Sequence, residues 1–217
     1  EISIENPSLA NFLLGMQFDT IYHEHYSYLS ASSVGKVSQE NGLQLFKVEN
    51  LSIHGGSSRY WLRSLSTKGS IHSSVEAFYN SEKSSGLFEP SKWTNFSDKV
   101  AKIRNDFCAW LSDSADKGRR VYGYGAAAKA STLLNSISTN DGLIVAIADV
   151  SLEKQARFMP PYGLKIISPN ELFRKNPTDI IIFPWNLKLE IAKYLRSNLG
   201  DGVRLWCAIP EMRQVNG

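Results

Sequence analysis

The sequence predicts an α/β protein in which a Rossmann-like parallel sheet with helices on both faces follows a smaller α+β region. Beyond about residue 118, short apolar runs that suit buried strands alternate with helical patterns. Before that point, two strand-like runs are grouped together, and a long amphipathic helix comes last. We therefore expect two domains, residues 1–117 and residues 118–217.

The first region is predicted to hold a helix, a pair of strands and a long final helix. A polar helical pattern covers Ser32 to Asn41, and the runs LQLFKVE and SRYWLRS are typical of strands. From Pro90 to about Ala115, apolar residues recur at three- and four-residue spacing. This spacing predicts a helix with one apolar stripe against a partner, and we interpret it as packing alone.

The second region alternates strands with helices. Buried strands are predicted in RRVYGYG, LIVAIAD, LKIIS, TDIIIFPW and GVRLWCAIP. Helices are predicted in AAAKASTLLNSI, PNELFRKN and NLKLEIAKYLRSNLG, and SLEKQAR suits a turn or a short helix. Proline in the first turn of the second helix and glycine after the last one are typical boundary residues.

Composition excludes several functional classes. With 24 Lys+Arg against 21 Asp+Glu and no basic run, we expect no nucleic-acid partner. No apolar run approaches the roughly 20 residues that span a bilayer, so we expect no membrane partner. Cys108 and Cys207 lack CxxC spacing, which argues against a zinc site or a disulfide framework, so we expect a location in the reducing cytoplasm. Because the chain begins at Glu1 with a strand-like run, we expect a fragment of a longer protein.

The stretch GYGAAAK follows a predicted strand and opens a helix. Gly123 would permit a tight turn, Gly125 would let the backbone approach a ligand, and Ala128 occupies the third position of a dinucleotide-binding fingerprint. The helix start, with Lys129 one turn in, favours an anionic ligand such as a diphosphate. Asp149 ends the next strand, where a ribose-binding acid would lie. Tight packing between strand and helix would explain the same glycines.

A second glycine motif, HGGSSR, runs from His54 to Arg59 between the two strands of the first region. Backbone donors, the hydroxyl of Ser57 and the fixed guanidinium of Arg59 suit a phosphate. Paired glycines also suit the positive φ angles of a hairpin turn, so both interpretations stay open.

The stretch FDTIYHEHYSYLS concentrates titratable side chains. A zinc-protease helix needs His-Glu-x-x-His, but Ser27 stands four residues after His23, so that metal site is excluded. Either an extended or a helical backbone can bring Tyr22, Glu24 and His25 to one pocket. An imidazole oriented by a carboxylate suits a general base at neutral pH. Buried, hydrogen-bonded histidines and tyrosines would produce the same composition.

Taken together, these stretches resemble the C-terminal half of the sugar C-methyltransferase family. They are FDTIYHEHYSYLS, NLSIHGGSSR, VYGYGAAAKASTLLN, AIADVSLEKQARFMP with ISPNEL, and IIFPWNLKLEI, in this order. The resemblance extends along the whole chain. It implies a Rossmann-like C-terminal domain that helps to bind a dTDP- or GDP-linked keto sugar, with S-adenosylmethionine bound mainly by a domain absent from this chain.

The resemblance also implies a reaction and a set of residues. A proton leaves the carbon beside the ketone, and the enolate attacks the methyl sulfonium. Tyr22 or His25 is expected as base or proton relay, with Glu24 as orienting partner. The expected nucleotide-sugar contacts are His54, Ser57, Arg59, Gly123, Tyr124, Gly125 and Lys129. Since neither the family's four-cysteine zinc module nor its cofactor loop is present, we expect no methylation by this polypeptide alone.

Two other functions remain open from the residues. A stand-alone module could bind a nucleotide sugar without chemistry. A nicotinamide-dependent oxidoreductase would account for Gly123, Gly125 and Asp149, but it leaves the Tyr/His stretch and HGGSSR unused.

Overall fold

The computed structural model describes residues 1–138, 142–160 and 162–216, without the side chain of His54. The chain forms two compact units. The first consists of Glu1–Gln17 and Glu24–Asp98, and the second of Phe18–His23 and Lys99–Gly217. The expected division into residues 1–117 and residues 118–217 stays a prediction.

The first unit is built on a three-stranded antiparallel sheet with the order β1-β3-β2. The strands are β1 (Ile2–Pro7), β2 (Leu43–Leu51) and β3 (Ser57–Ser64), and the helices are α1 (Leu9–Leu14), α2 (Ala31–Glu40) and α3 (Ser74–Ser84). A buried cluster from α2, α3 and the sheet forms its core: Ala31, Val34, Leu45, Val48, Tyr60, Leu62 and Val75. The predicted first helix and both predicted strands are confirmed.

The amino terminus of α2 is capped twice. Ser30 and Ser33 form a reciprocal capping box, which satisfies two backbone donors of the first turn. The buried carboxylate of Glu82 in α3 also accepts hydrogen bonds from the backbone N–H groups of Ala31 and Ser32. An anion at this helix end is stabilised by the free N–H groups, so Glu82 ties α3 to α2.

The long helix predicted from Pro90 is confirmed as α4 (Pro90–Asp116). Its buried side chains in the second unit recur at the expected spacing: Ile103, Phe107, Trp110, Leu111 and Ser114. In the first unit, the rings of Trp93 and Phe96 lie 6.4 and 5.1 Å from the ring of Phe12. These contacts agree with a packing role for the helix.

The second unit contains a seven-stranded sheet with the order β10-β9-β8-β4-β5-β7-β6. Its strands are β4 (Val121–Tyr124), β5 (Ile147–Ala148), β6 (Phe158–Met159), β7 (Leu164–Ile167), β8 (Asp179–Ile182), β9 (Arg204–Cys207) and β10 (Arg213–Gln214). The five central strands pair in parallel, and β6 and β10 add antiparallel edges. The Rossmann-like α/β fold is therefore confirmed.

Three helices connect the parallel strands: α5 (Ala128–Asn135), α6 (Pro169–Arg174) and α7 (Lys188–Leu199). From β4 the chain adds β5 and β7 on one side of the sheet, then returns to add β8 and β9 on the other. Because parallel crossovers are right-handed, the connections on the two sides of β4 cover opposite faces. The order reverses between β4 and β8, where ligand crevices of such sheets open at the carboxyl ends of the strands.

Candidate functional site

A crevice of about 570 Å³ opens at this reversal point in the second unit. Its walls come from the carboxyl ends of β4, β5 and β8 and from α7. They include Tyr124, Gly125, Asp149, Val150, Leu187 and Tyr194. Two residues expected to contact the substrate, Tyr124 and Gly125, therefore line a cavity of the size that small-molecule sites have.

The two glycines of the GYG motif are explained by packing within the chain. Gly125 has φ +89°, and a side chain there would collide with the ring of Pro184. A Cβ on Gly123 would lie 2.7 Å from Phe183 and 2.8 Å from Ile147. These contacts account for both glycines without a ligand, as the packing interpretation expects, so their part in binding stays a prediction.

Asp149 closes the turn between β4 and α5. Its Oδ2 accepts a hydrogen bond of 2.8 Å from the backbone N–H of Ala126, and its Oδ1 accepts one of 2.8 Å from the N–H of Ser151. Lys154 donates to the same carboxylate at 3.3 Å and to the carbonyl of Ala126 at 3.0 Å. Since Asp149 is buried and both its oxygens are used, it is poorly placed to bind the ribose of a dinucleotide.

The aromatic wall of the crevice is formed by Tyr124 and Tyr194, whose ring centroids lie 6.3 Å apart. Burial, together with the nearby Tyr194 and Asp149, raises the pKa of Tyr124 to about 12. Tyr124 therefore stays a neutral phenol at physiological pH. It offers the crevice an aromatic surface rather than a charge.

Lys129 is engaged on the loop that follows β8. Its ammonium group donates to Oδ1 of Asn186 at 2.9 Å and lies 4.4 Å from the centre of the Trp185 ring. Burial lowers the pKa of Lys129, whereas the negative potentials of Asp19 and Cys207 oppose this shift. A phosphate would have to compete with this arrangement for the Lys129 charge.

A buried aspartate that sequence reasoning missed lies beside this lysine. Asp19, in the 3₁₀ helix Phe18–Thr20, accepts a hydrogen bond of 2.8 Å at Oδ2 from the indole N–H of Trp185. Burial raises the pKa of Asp19 to about 6, although the charge of Lys129 and the indole hydrogen bond act in the opposite direction. Asp19 is the second residue of the stretch FDTIYHEHYSYLS, but nothing in the local sequence indicates that its side chain is buried.

The expected acid/base residues lie in a turn, and the structure divides them between the two units. Tyr22 belongs to the second unit, and Glu24 and His25 belong to the first. The backbone here is neither a strand nor a helix, because it turns directly after the 3₁₀ helix. The ring centroids of His25 and Tyr28 lie 6.2 Å apart, with the two ring planes at 90°. The catalytic roles of Tyr22, Glu24 and His25 stay predictions.

The HGGSSR motif forms the connection between β2 and β3, which confirms the hairpin interpretation. Gly55 and Gly56 have φ angles of 94° and 113°, as glycine permits in a tight connection. Ser57 is buried at the start of β3. The backbone of His54 belongs to the 3₁₀ helix Ile53–Gly55, and its side chain lies outside the described residues.

Arg59 has carboxylate partners on both neighbouring strands. Its Nη2 and Nε lie 2.8 and 3.2 Å from Oε2 of Glu5 on β1, and its Nη1 lies 3.9 Å from Oε2 of Glu49 on β2. The pKa of Glu49 is lowered by hydrogen bonds from Lys47 and Trp61 and by nearby positive charge, including that of Arg59. The sheet thus explains the presence of Arg59, and its contact with a phosphate stays a prediction.

The described residues form neither a metal site nor a helix that could span a membrane. Within residues 1–138, 142–160 and 162–216, no group of three or more His, Cys, Asp or Glu side chains is arranged to hold a metal ion. In those ranges no helix is both long enough and apolar enough to cross a bilayer.

Two known proteins and one family of proteins are similar to this chain. C-methyltransferase NovU from Streptomyces niveus is 29% identical over 213 residues, which cover 98% of this chain and 51% of that protein. The chain thus spans about half the length of this curated relative. A UDP-D-quinovosamine 4-dehydrogenase from Vibrio fischeri shares 17% identity at a TM-score of 0.33, over 45% of this chain and 93% of that one. Residues 52–210 match the family described as the C-methyltransferase C-terminal domain, and the chain belongs to that family.

Proposed function

We propose that this chain is the substrate-binding and acid/base part of a longer C-methyltransferase that acts on a nucleotide-activated keto sugar. The observation that carries the proposal is the match with C-methyltransferase NovU over 98% of the chain. S-adenosylmethionine, held by another domain of the longer protein, supplies the methyl group. This chain alone is expected to be inactive.

The chemical task of this chain is to remove a proton from the carbon beside the ketone. That hydrogen is weakly acidic, and a positioned base typically contributes ~10²–10⁴-fold to such a step. We assign Tyr22 or His25 as base or relay and Glu24 as the partner that orients the imidazole. The electron pair of the C–H bond moves toward the carbonyl oxygen, the proton passes to the base, and an enolate remains as the carbon nucleophile.

We assign the crevice of the second unit to the nucleotide sugar. Tyr124, Tyr194 and Leu187 give it an apolar and aromatic wall that suits a planar ring or the hydrocarbon face of a sugar. Lys154 and Glu190 also line it and supply charged groups. A mostly apolar cavity with a few polar groups is typical of small-molecule sites.

The same crevice fits a cofactor ribose poorly. A Rossmann-type ribose site uses the acid at the end of the second strand, which is Asp149 here. Its two oxygens already accept hydrogen bonds from Ala126 and Ser151. This arrangement argues against the nicotinamide-dependent oxidoreductase and against binding of S-adenosylmethionine in this crevice.

The phosphates of the substrate are assigned to other groups. Arg59 offers a guanidinium fork, but a phosphate must replace Glu5 as its partner. Lys129 offers a second positive charge at the start of α5. The contacts of His54, Ser57, Gly123, Tyr124 and Gly125 with the nucleotide sugar are proposals of the same kind.

Calorimetric titration of this chain with dTDP, GDP, NAD(H) and S-adenosylmethionine, each added separately, tests the proposal. We expect saturable binding of a nucleoside diphosphate and no heat of binding with NAD(H). Saturation by NAD(H) alone would instead favour the oxidoreductase. A binding module without catalytic activity would also bind the nucleoside diphosphate. A turnover assay of the full-length protein is therefore needed to distinguish such a module from part of an enzyme.

A further inference from the structure

Asp19 is an unusual residue to bury in this fold. Its side chain is 1% exposed, Oδ2 has one partner in Trp185, and Oδ1 has no hydrogen-bond partner among the described residues. Burial of a carboxylate with so few partners is costly, whereas an apolar side chain of similar size would avoid that cost. Packing alone therefore does not explain why a carboxyl group is buried at this position.

The contacts of Trp185 indicate a function for the carboxyl group of Asp19. The edge of the indole donates to Asp19, and the ammonium group of Lys129 lies against its face. Lys129 also donates to Asn186, the next residue in the chain. Trp185 is thus fixed from two directions, at the start of the 3₁₀ helix Trp185–Leu187.

The residues on either side of this anchor belong to the crevice. Pro184 lies against Gly125, and both Pro184 and Leu187 line the cavity. The segment Phe18–His23 belongs to the same compact unit, and it carries Tyr22 three residues after Asp19. Two backbone hydrogen bonds, from Ile21 to Phe18 and from Tyr22 to Thr20, continue the turn from Asp19 to Tyr22.

We propose that Asp19 is a positioning residue that, through Trp185, fixes the Tyr22-bearing segment relative to the wall of the crevice. The inference rests on the proposed function of Tyr22 as an acid/base group. In this role Asp19 does not touch the substrate. It limits where the phenol of Tyr22 lies, because a displacement of about 1 Å in a catalytic group can cost ~10²-fold in rate.

The chain offers a matched control in Asp179. This aspartate is also fully buried, and it also accepts an indole N–H, from Trp206 at 2.8 Å. It lies at the start of β8, whereas Trp185 follows the end of that strand. Asp179→Asn keeps an acceptor for this indole but removes the charge that pairs with Arg204 at 2.8 Å, so it disturbs a buried aspartate away from the crevice.

The test uses the full-length protein with the substitutions Asp19→Leu, Asp19→Asn, Trp185→Phe and Asp179→Asn. We expect Asp19→Leu and Trp185→Phe to lower kcat about tenfold with KM within about twofold, since the lost contact is a hydrogen bond to a charged group. Asp19→Asn keeps an oxygen that accepts the indole N–H, so it should recover most of kcat. Asp179→Asn should lower Tm without lowering kcat of the folded protein.

Hydrogen–deuterium exchange tests the positioning role of Asp19 independently of the acid/base role proposed for Tyr22. Amides of residues 18–23 should exchange about tenfold faster in Asp19→Leu and Trp185→Phe than in the wild type or Asp179→Asn. Unchanged exchange, or a rise in KM with normal kcat, would overturn the positioning role. If Asp19→Leu does not fold, Trp185→Phe decides the question. If Tyr22→Phe leaves kcat unchanged, the acid/base role of Tyr22 fails, while the exchange result still decides whether Asp19 holds the segment.

Discussion

The carboxylate of Asp149 accepts a hydrogen bond of 2.8 Å from the backbone N–H of Ala126, so the acid at the end of β5 closes the glycine turn at the end of β4. A dinucleotide-binding fold would leave that acid open to a ribose. The protein therefore has a Rossmann-like fold, but its acid at the end of β5 is not open to the ribose of a dinucleotide.

Removal of this carboxylate should destabilise the second unit. In Asp149→Ala the buried N–H group of Ala126 and the part-buried N–H group of Ser151 lose their acceptor, which costs about 1–3 kcal/mol in the free energy of unfolding. Denaturant titration measures the loss. Asp201→Ala is the control, because that side chain is 95% exposed and its ion pair with Arg196 is long at 3.4 Å. Equal stability of the two variants would show that Asp149 does not hold the turn.

Gly125→Ala should be more costly than alanine at another glycine with positive φ. At Gly125 the new methyl group meets Pro184, whereas at Gly118, with φ +61°, a Cβ would meet nothing within 4 Å. We expect Gly118→Ala to cost about 1 kcal/mol from the backbone alone. Gly125→Ala should add about 1–3 kcal/mol for overpacking, measured as the free energy of unfolding. A smaller effect at Gly125 than at Gly118 would contradict the packing explanation.

The stability of the protein should contain a pH-dependent contribution from Asp19. Burial raises its pKa from 3.8 to about 6, with Lys129 and Cys207 as the titratable groups around it. A raised folded-state pKa means that the folded protein holds the proton more tightly than the unfolded chain does. The contribution of Asp19 to the free energy of unfolding is therefore complete below pH 3.8 and is lost as pH rises through about 6. The size of this contribution is on the order of 3 kcal/mol.

Comparison of wild type with Asp19→Asn isolates this contribution from the other titrating groups. Asparagine resembles the protonated carboxyl group, so the two proteins should be about equally stable at a pH below 3.8, where Asp19 is protonated in both the folded and the unfolded state. Near pH 7.5 the variant should be the more stable one. A stability difference that does not change with pH would mean that Asp19 titrates normally.

Arg59 and Glu5 give a paired prediction for substrate binding. If Arg59 binds the diphosphate, Arg59→Ala should weaken nucleotide-sugar binding by about 1.5–3 kcal/mol, measured by calorimetry. Glu5→Gln removes the carboxylate 2.8 Å from the guanidinium and should strengthen binding. If neither substitution changes affinity in folded protein, Arg59 serves only the sheet.

The parallel sheet could be predicted because its information is local. Continuous apolar runs such as TDIIIFPW and the boundary residues of the helices mark strands and crossovers in sequence order. Helix α3 was missed because only Val75 and Glu82 are buried in it, which leaves a weak apolar pattern. The edge strands β6 and β10 are two residues long and carry no periodicity.

The candidate site was less predictable because its contacts are distant in sequence. Asp19 and Trp185 are 166 positions apart, and neither residue signals the other. The glycine turn was recognised at Gly125, but its closure by Asp149 and the approach of Pro184 depend on the folded sheet. Residue types could indicate the chemistry of Tyr22 and His25, whereas the division of their stretch between two units could not be inferred from them.

The central proposal, that Tyr22 or His25 serves as base or proton relay at carbon, can be tested without methyl transfer. The full-length protein is incubated with the proposed substrate, a dTDP- or GDP-linked keto sugar, in D₂O without S-adenosylmethionine, and deuterium at the carbon beside the ketone is followed by NMR. The controls are Tyr26→Phe and His72→Gln. Tyr26 is 94% exposed, and His72 is an exposed histidine of the first unit. We expect exchange in the wild type and both controls, and a loss of at least about 10²-fold in Tyr22→Phe or His25→Gln. Wild-type exchange that persists in both of these variants would contradict the account.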